Sequence, residues 1–331
     1  MGTFFVKVDS TLLTTINEKS ERGSIRDGFG KALAELGEQN QQVVAVSADL
    51  TESTRLNYFQ AAFPKRFVQV GVAEQNLIGV AAGLSLAGKI PFAASFAVFS
   101  PGRSWDQVRV SVCYSNLNVK IIGGHAGLTV GPDGATHQAL EDIAITRVLP
   151  NMTVIVPCDE NQTAAATKAI AKHYGPCYLR LSRATPIKIT TPETPFEIGK
   201  AQLIKEGTDI TLVATGIMVE HALFAAQELQ EKHNISAEVM NIHTIKPLDT
   251  QALLTTAKKT GKVITIEEHQ KVGGLGSAVA EFLCQELPVP MSIIGIEDTF
   301  GESGDASDLM TKYKLTVQEI VHQAKQKLLI S

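Results

Sequence analysis

The chain has 331 residues, 44% of them hydrophobic and 19% charged, which suffices for two domains with buried cores and excludes a disordered protein. Lys and Arg number 30 against 34 Asp and Glu, a net charge of −4 with no basic run, so nucleic acid is not an expected partner. No apolar run reaches membrane-spanning length, and the opening Met1–Ser10 lacks a charged segment leading into an apolar one, so neither a membrane anchor nor a secretory signal is expected.

In chain order, residues 1–23 are polar and weakly patterned and read as an arm. A helix is expected from Ile25, with Ser24 as its cap. Val43–Asp49 reads as a buried strand ending in a carboxylate, where open α/β sheets place ligands. A loop through Ser53 and a helix near Asn57–Phe63 follow. Phe67 starts a short strand, Gly71 a turn, and Glu74 stands at the mouth of an Ala-, Gly- and Leu-rich helix. Ile90–Phe96 (strand), Arg103–Asn116 (helix), Asn118–Gly123 (strand), Thr153–Cys158 (strand), Glu160–His173 (helix) and Cys177–Arg183 (strand) complete a first unit over 24–184. Pro and Thr dominate Thr185–Phe196, so 185–199 reads as a linker. A second αβ series over 200–331 has strands at Asp209–Gly216, Ile235–Ile242, Lys262–Glu268 and Met291–Ile296. Its helices are Met218–His233, Ser277–Leu287 and one from Thr316. Short apolar strands alternating with helices predict an α/β protein of two doubly wound domains with largely parallel sheets.

Cys113, Cys158, Cys177 and Cys284 form no C-x-x-C pair, which argues against a zinc site or a disulfide framework and suits a reducing cytoplasm. Glu74, flanked by apolar residues, is either an ordinary first-turn acid or a carboxylate partly stripped of water, whose pKa rises unless a partner holds it. Phe96 and Phe99 are either core aromatics or the walls of a pocket for a flat ring. His125, Asp133 and His137 share a glycine-bearing loop, but with no third close His or Cys a metal site is not expected. Gly273–Gly276 lacks a full dinucleotide fingerprint and reads as a tight turn opening a helix.

Glu74, the aromatic pair in Ser95–Arg103, and His125-Ala-Gly-Leu-Thr-Val-Gly-Pro-Asp133-Gly-Ala-Thr-His137-Gln together resemble the pyrimidine-binding half of transketolase-type thiamine diphosphate enzymes. The second unit then resembles the transketolase C-terminal domain. The resemblance implies that Glu74 hydrogen-bonds the cofactor's aminopyrimidine and drives it to the imino form. Phe96 and Phe99 would stack on that ring, and Asp49 would lie near the cofactor. His125 and His137 would act at the substrate, and Asp133 would read a sugar hydroxyl. Arg26, Ser53 and Arg183, which would otherwise pass as surface or packing residues, would bind a sugar phosphate, a role suited to guanidinium forks. Two departures stand out. Pro101-Gly102 replaces a third pocket aromatic, leaving Trp105 or Tyr114 as substitutes, and Gln75 stands where the family often has His.

The chain has no Gly-Asp-Gly, the element that in full-length transketolases helps hold Mg²⁺ and the cofactor diphosphate. The resemblance therefore implies the C-terminal subunit of a split transketolase. Its N-terminal partner would supply the Mg²⁺ and diphosphate ligands, in an α₂β₂ assembly acting on sugar phosphates. Three other readings stay open: the β subunit of a 2-oxo acid dehydrogenase, a transketolase-like enzyme with another acceptor, and a non-catalytic scaffold of the same fold.

Overall fold

The computed structural model describes Ile16, Asn17 and residues 19–329. Most of the expected N-terminal arm lies outside the described residues. The first unit runs α1 (Ile25–Gln39), β1 (Val43–Ser47), α2 (Asn57–Ala62), β2 (Phe67–Gln69), α3 (Glu74–Leu86) and β3 (Ile90–Phe96). It continues with α4 (Trp105–Gln107), β4 (Lys120–Ala126), α5 (Asp142–Arg147), β5 (Thr153–Ile155), α6 (Glu160–Lys172) and β6 (Cys177–Ser182). The second contains β7 (Gln202–Lys205), β8 (Ile210–Ala214), α7 (Met218–His233), β9 (Ala237–Asn241), β10 (Thr244–Lys246) and α8 (Thr250–Thr260). It ends with β11 (Val263–Gln270), α9 (Leu275–Glu286), β12 (Met291–Ile296), α10 (Ala306–Lys312) and α11 (Val317–Leu329).

Two sheets form, in the orders β10-β5-β6-β4-β3-β1-β2 and β12-β11-β8-β9-β7. All pairings are parallel except β10 with β5 and β7 with β9. β1, β4, β6 and β8 are buried along their whole length, as strands covered by helices on both faces must be. The two-domain α/β expectation is met. Ser24 caps α1, its side chain accepting from the Asp27 amide.

Three expectations are corrected, and one short strand that the sequence did not suggest, β10, is added. The expected helix over Arg103–Asn116 is α4 followed by a π-helical turn over Val108–Tyr114. α9 begins at Leu275, two residues before the expected start. β10 leaves the second unit to join the first sheet. The expected linker is a fixed strap: Ile187 and Ile189 are buried, and the amides of Ile189 and Thr190 donate to the buried Asp159 carboxylate at 2.7 and 2.6 Å. Proline and threonine remove helix and strand signals from such a stretch, but they do not prevent its backbone from being tied down by one carboxylate.

Candidate active site

The carboxyl ends of β1, β3, β4 and β6 face one edge of the first sheet, the position that open parallel sheets give to ligands. Glu74 opens α3 there and is 3% exposed. Its Oε2 accepts from the Arg103 guanidinium at 2.9 Å. The same guanidinium lies over the Phe99 ring, 4.9 Å from the centroid. Phe99 is nearly parallel to Phe96, with centroids 6.2 Å apart. His137 meets Phe99 edge-on at 5.3 Å, and its Nδ1 pairs with the Thr136 hydroxyl at 2.9 Å.

At the end of β4, His125 holds a left-handed backbone (φ 53°) and turns its ring onto Phe96, centroids 3.9 Å apart. Arg26, in the first turn of α1, reaches His125 Nε2 at 3.4 Å and donates to the Ser53 carbonyl at 2.9 Å. Arginine can only donate, so His125 Nε2 accepts and the ring proton falls on Nδ1. That Nδ1 and the Arg26 Nε are buried with no partner among the described residues. Burial first, then the guanidiniums of Arg26, Arg183 and Arg55, push the His125 pKa down to about 3. Burial and the same neighbours Arg55 and Arg183 also lower that of Arg26.

Arg183 follows β6 and donates to the Val130 carbonyl at 2.9 Å; Asp133 lies 3.8 Å from the same guanidinium nitrogen. Glu74, Phe96, Phe99, His125, His137, Arg26, Asp133 and Arg183 therefore line one edge of the sheet. Ser53 joins through its carbonyl; no hydrogen bond from its hydroxyl is present among the described residues. Asp49 is exposed at the rim in a left-handed backbone (φ 62°), its amide bonded to Gln69.

Neither proposed substitute for the third aromatic walls the pocket. Trp105 turns away, its indole donating to the Ile145 carbonyl at 2.7 Å, and Tyr114 is 86% exposed. Arg103 covers Phe99 in their place. An arginine after a Pro-Gly turn reads as a surface residue, and only the four-residue spacing from Phe99 hints at its position. Arg55, also passed over, sits 2.7 Å from Asp27 and adds the third positive charge near His125. Glu268 of the second unit accepts from the Thr129 amide, propping the His125–His137 loop from below. Gly127 in that loop has φ 91°, and a Cβ there would run into the Glu268 carboxylate.

Gly273–Gly276 is a turn: the amides of Leu275 and Gly276 are filled by the Glu267 carboxylate, both at 2.7 Å. Among the described residues no group of three or more His, Cys, Asp or Glu could hold a metal ion, and no helix is long and apolar enough to cross a membrane.

Two family models match, described as transketolase, pyrimidine binding domain over residues 22–186 and transketolase, C-terminal domain over 199–320. The chain belongs to the transketolase family. It is 46% identical to a 6-deoxy-6-sulfo-D-fructose transketolase subunit of Clostridium sp. (strain MSTE9), over 93% of this chain and 95% of that one. It is 40% identical to an apulose-4-phosphate transketolase subunit of Phocaeicola vulgatus, over 90% and 96%. A solved structure described as a split-gene transketolase, inactive β4 tetramer, superposes with a TM-score of 0.87 at 48% identity, covering 93% of this chain and 99% of that chain. Each of these relatives is matched almost end to end. The chain is thus a C-terminal transketolase-type subunit, and membership of this family implies dependence on thiamine diphosphate.

The side chains suit the pyrimidine end of that cofactor. A buried carboxylate at the mouth of α3 stands beside a pair of near-parallel aromatic rings, groups that can hydrogen-bond the edge and pack on the face of a flat heterocycle.

Proposed function

We propose that the chain is one subunit of a two-subunit transketolase that moves a two-carbon ketol unit from an anionic ketose to an anionic aldose. The observation that carries this is the continuity of the site. A buried glutamate and two phenylalanines at one end pass through two histidines to Arg26 and Arg183 at the other. Thiamine diphosphate, when bound, supplies the electron sink for breaking and making the carbon–carbon bond.

Phe96 and Phe99 would hold the cofactor's pyrimidine ring, and Glu74 Oε2, now paired with Arg103, would hydrogen-bond its edge and hold or release a proton there. His125, held neutral, and His137 line the wall at which the substrate would lie. Arg26 and Arg183, with Ser53 beside them, hold the anionic end of the sugar. Asp133 accepts from a sugar hydroxyl, and Asp49 lies toward the cofactor at the partner's side. Mg²⁺ and the diphosphate are held by an N-terminal subunit carrying the Gly-Asp-Gly element, in an α₂β₂ assembly. The four cysteines are unpaired in the structure, in keeping with a reducing cytoplasm.

The relatives' names include one sulfonated and one phosphorylated sugar. Both groups are tetrahedral oxyanions, and a guanidinium cluster accepts either, so the pentose phosphate reaction and a sulfosugar reaction are both within its chemistry.

The test is to purify the chain from its native cells with whatever accompanies it. Xylulose 5-phosphate and 6-deoxy-6-sulfofructose are then assayed as donors. Ketol transfer by the complex and none by the isolated chain supports the proposal. Full turnover by the homogeneous chain overturns the two-subunit reading, and a lipoyl-bearing partner would replace it with the 2-oxo acid dehydrogenase reading.

A further inference from the structure

We propose that Arg103 is a placeholder for the pyrimidine ring, occupying Glu74 and the face of Phe99 until the ring displaces it. The inference rests on the ring site described under Proposed function and adds a residue to which that reading gives no part.

The guanidinium does two things at once. It donates to Glu74 Oε2 at 2.9 Å, and it lies over the face of Phe99, 4.9 Å from the centroid. A flat heterocycle with N–H groups on its edge needs the same two partners. The two occupants are therefore competitors for one carboxylate and one aromatic face.

The two ends of the ion pair are unequally free to move. The Glu74 side chain is 2% exposed and fixed at the start of α3, whereas that of Arg103 is 53% exposed. Backbone geometry anchors Arg103 while leaving its side chain loose: the Arg103 amide donates to the Phe99 carbonyl at 2.9 Å. A rotation about its side-chain bonds takes the guanidinium into water without moving the turn.

The placeholder has a physical reason. A carboxylate buried without a partner is costly, because nothing replaces the water it has lost. Arginine stays charged, and its delocalised plane is weakly hydrated, so it settles on an aromatic face and pairs with the acid before the ring arrives. The buried acid and the guanidinium then form a pair with no net charge. Ring binding must first open the pair, which lowers the apparent affinity by the fraction of molecules already open.

The experiment measures binding of thiamine diphosphate with Mg²⁺ to the assembled two-subunit complex by calorimetry, and its association rate by stopped flow. The variants are Arg103→Ala, Arg103→Lys, Glu74→Gln and the double variant Arg103→Ala/Glu74→Gln. Arg103→Ala is expected to tighten Kd by about threefold to tenfold and to speed association, because the closed fraction is gone. Arg103→Lys, which keeps the charge but loses the plane, is expected to fall between. Removing Arg103 in the Glu74→Gln background is expected to change Kd little, since the pair is already broken.

Weaker or unchanged binding by Arg103→Ala overturns the placeholder and makes Arg103 a fixed support of Glu74. If no variant binds, wild type included, the ring site itself is wrong and the placeholder falls with it. The Arg103 side chain is 53% exposed, and matching thermal unfolding of variant and wild type verifies that folding is intact.

Discussion

The His125 ring stacks on Phe96 at 3.9 Å while its Nε2 faces the Arg26 guanidinium at 3.4 Å. Burial and three arginines disfavour the imidazolium, so its pKa falls from the ordinary 6.5 to about 3. A histidine with a depressed folded pKa supports stability above its unfolded pKa and loses that support as pH falls below it. The window here runs from about 6.5 down to about 3, at up to about 1.4 kcal/mol per pH unit for this one group. A heteronuclear NMR titration should find His125 neutral with its proton on Nδ1 at pH 5. A midpoint near 6.5 would mean that burial and the three arginines do not hold the ring neutral.

Glu74→Gln keeps the size and one acceptor but cannot take or release a proton. In the assembled complex it should lower kcat by about 10²–10⁴-fold, the usual range for a lost acid–base group. The affinity for the sugar should stay within about twofold, because in the proposed reading its anionic end goes to Arg26 and Arg183, away from Glu74. Steady-state kinetics beside direct sugar binding separates the two effects. An unchanged kcat refutes the assignment.

Much of this site was readable in the sequence because each part is local. Glu74 starts a helix, Phe96 ends a strand, and the His125–His137 loop is one contiguous stretch. What escaped was the long-range pairing. Arg103 lies 29 residues from Glu74, and nothing in its neighbourhood says that its side chain folds back. β10 is three residues long and pairs with a strand of the other unit, a contact that no periodicity carries. The strap at 187–190 has loop composition but is fixed by Asp159, 30 residues upstream of Ile189. Arg55 stands in a loop whose apparent content was Ser53.

Asp142 and Arg180 meet at 2.8 Å with side chains 1% and 5% exposed. The same carboxylate oxygen accepts from the Tyr178 hydroxyl at 2.6 Å, and Arg180 reaches the Glu268 carbonyl at 2.9 Å, tying the first unit to the second. Asp142→Ala leaves a buried guanidinium without its counter-ion and should cost about 3–5 kcal/mol in denaturant unfolding. Replacing both partners by apolar residues of similar volume should cost less than the single change, since no uncompensated charge remains. A single-variant loss under about 1 kcal/mol would mean that water reaches the pair.

α3 carries the last prediction. Gly79 and Gly83 are exposed on it with open space where a Cβ would stand, and Val72 and Leu86 nearby are 72% and 76% exposed. Bare helix backbone at the two glycines, with exposed Val72 and Leu86 at either end of α3, is a surface on which another chain can pack closely. Glu74 begins the same helix, so under the proposed two-subunit reading α3 is the expected contact for the partner. Gly83→Ala then acts with opposite signs. In the isolated chain, a methyl group in open space on a helix with ordinary backbone angles should stabilise by up to about 1 kcal/mol, through helix propensity and a less free unfolded state. If the partner packs on α3, the same methyl would push its surface back, and Leu86→Glu would bury a charge there. Both variants should therefore weaken the complex, read by mass photometry across a dilution series, while thermal unfolding of the lone chain rises for Gly83→Ala and stays level for Leu86→Glu. Full-strength assembly by both variants would move the partner's contact off α3.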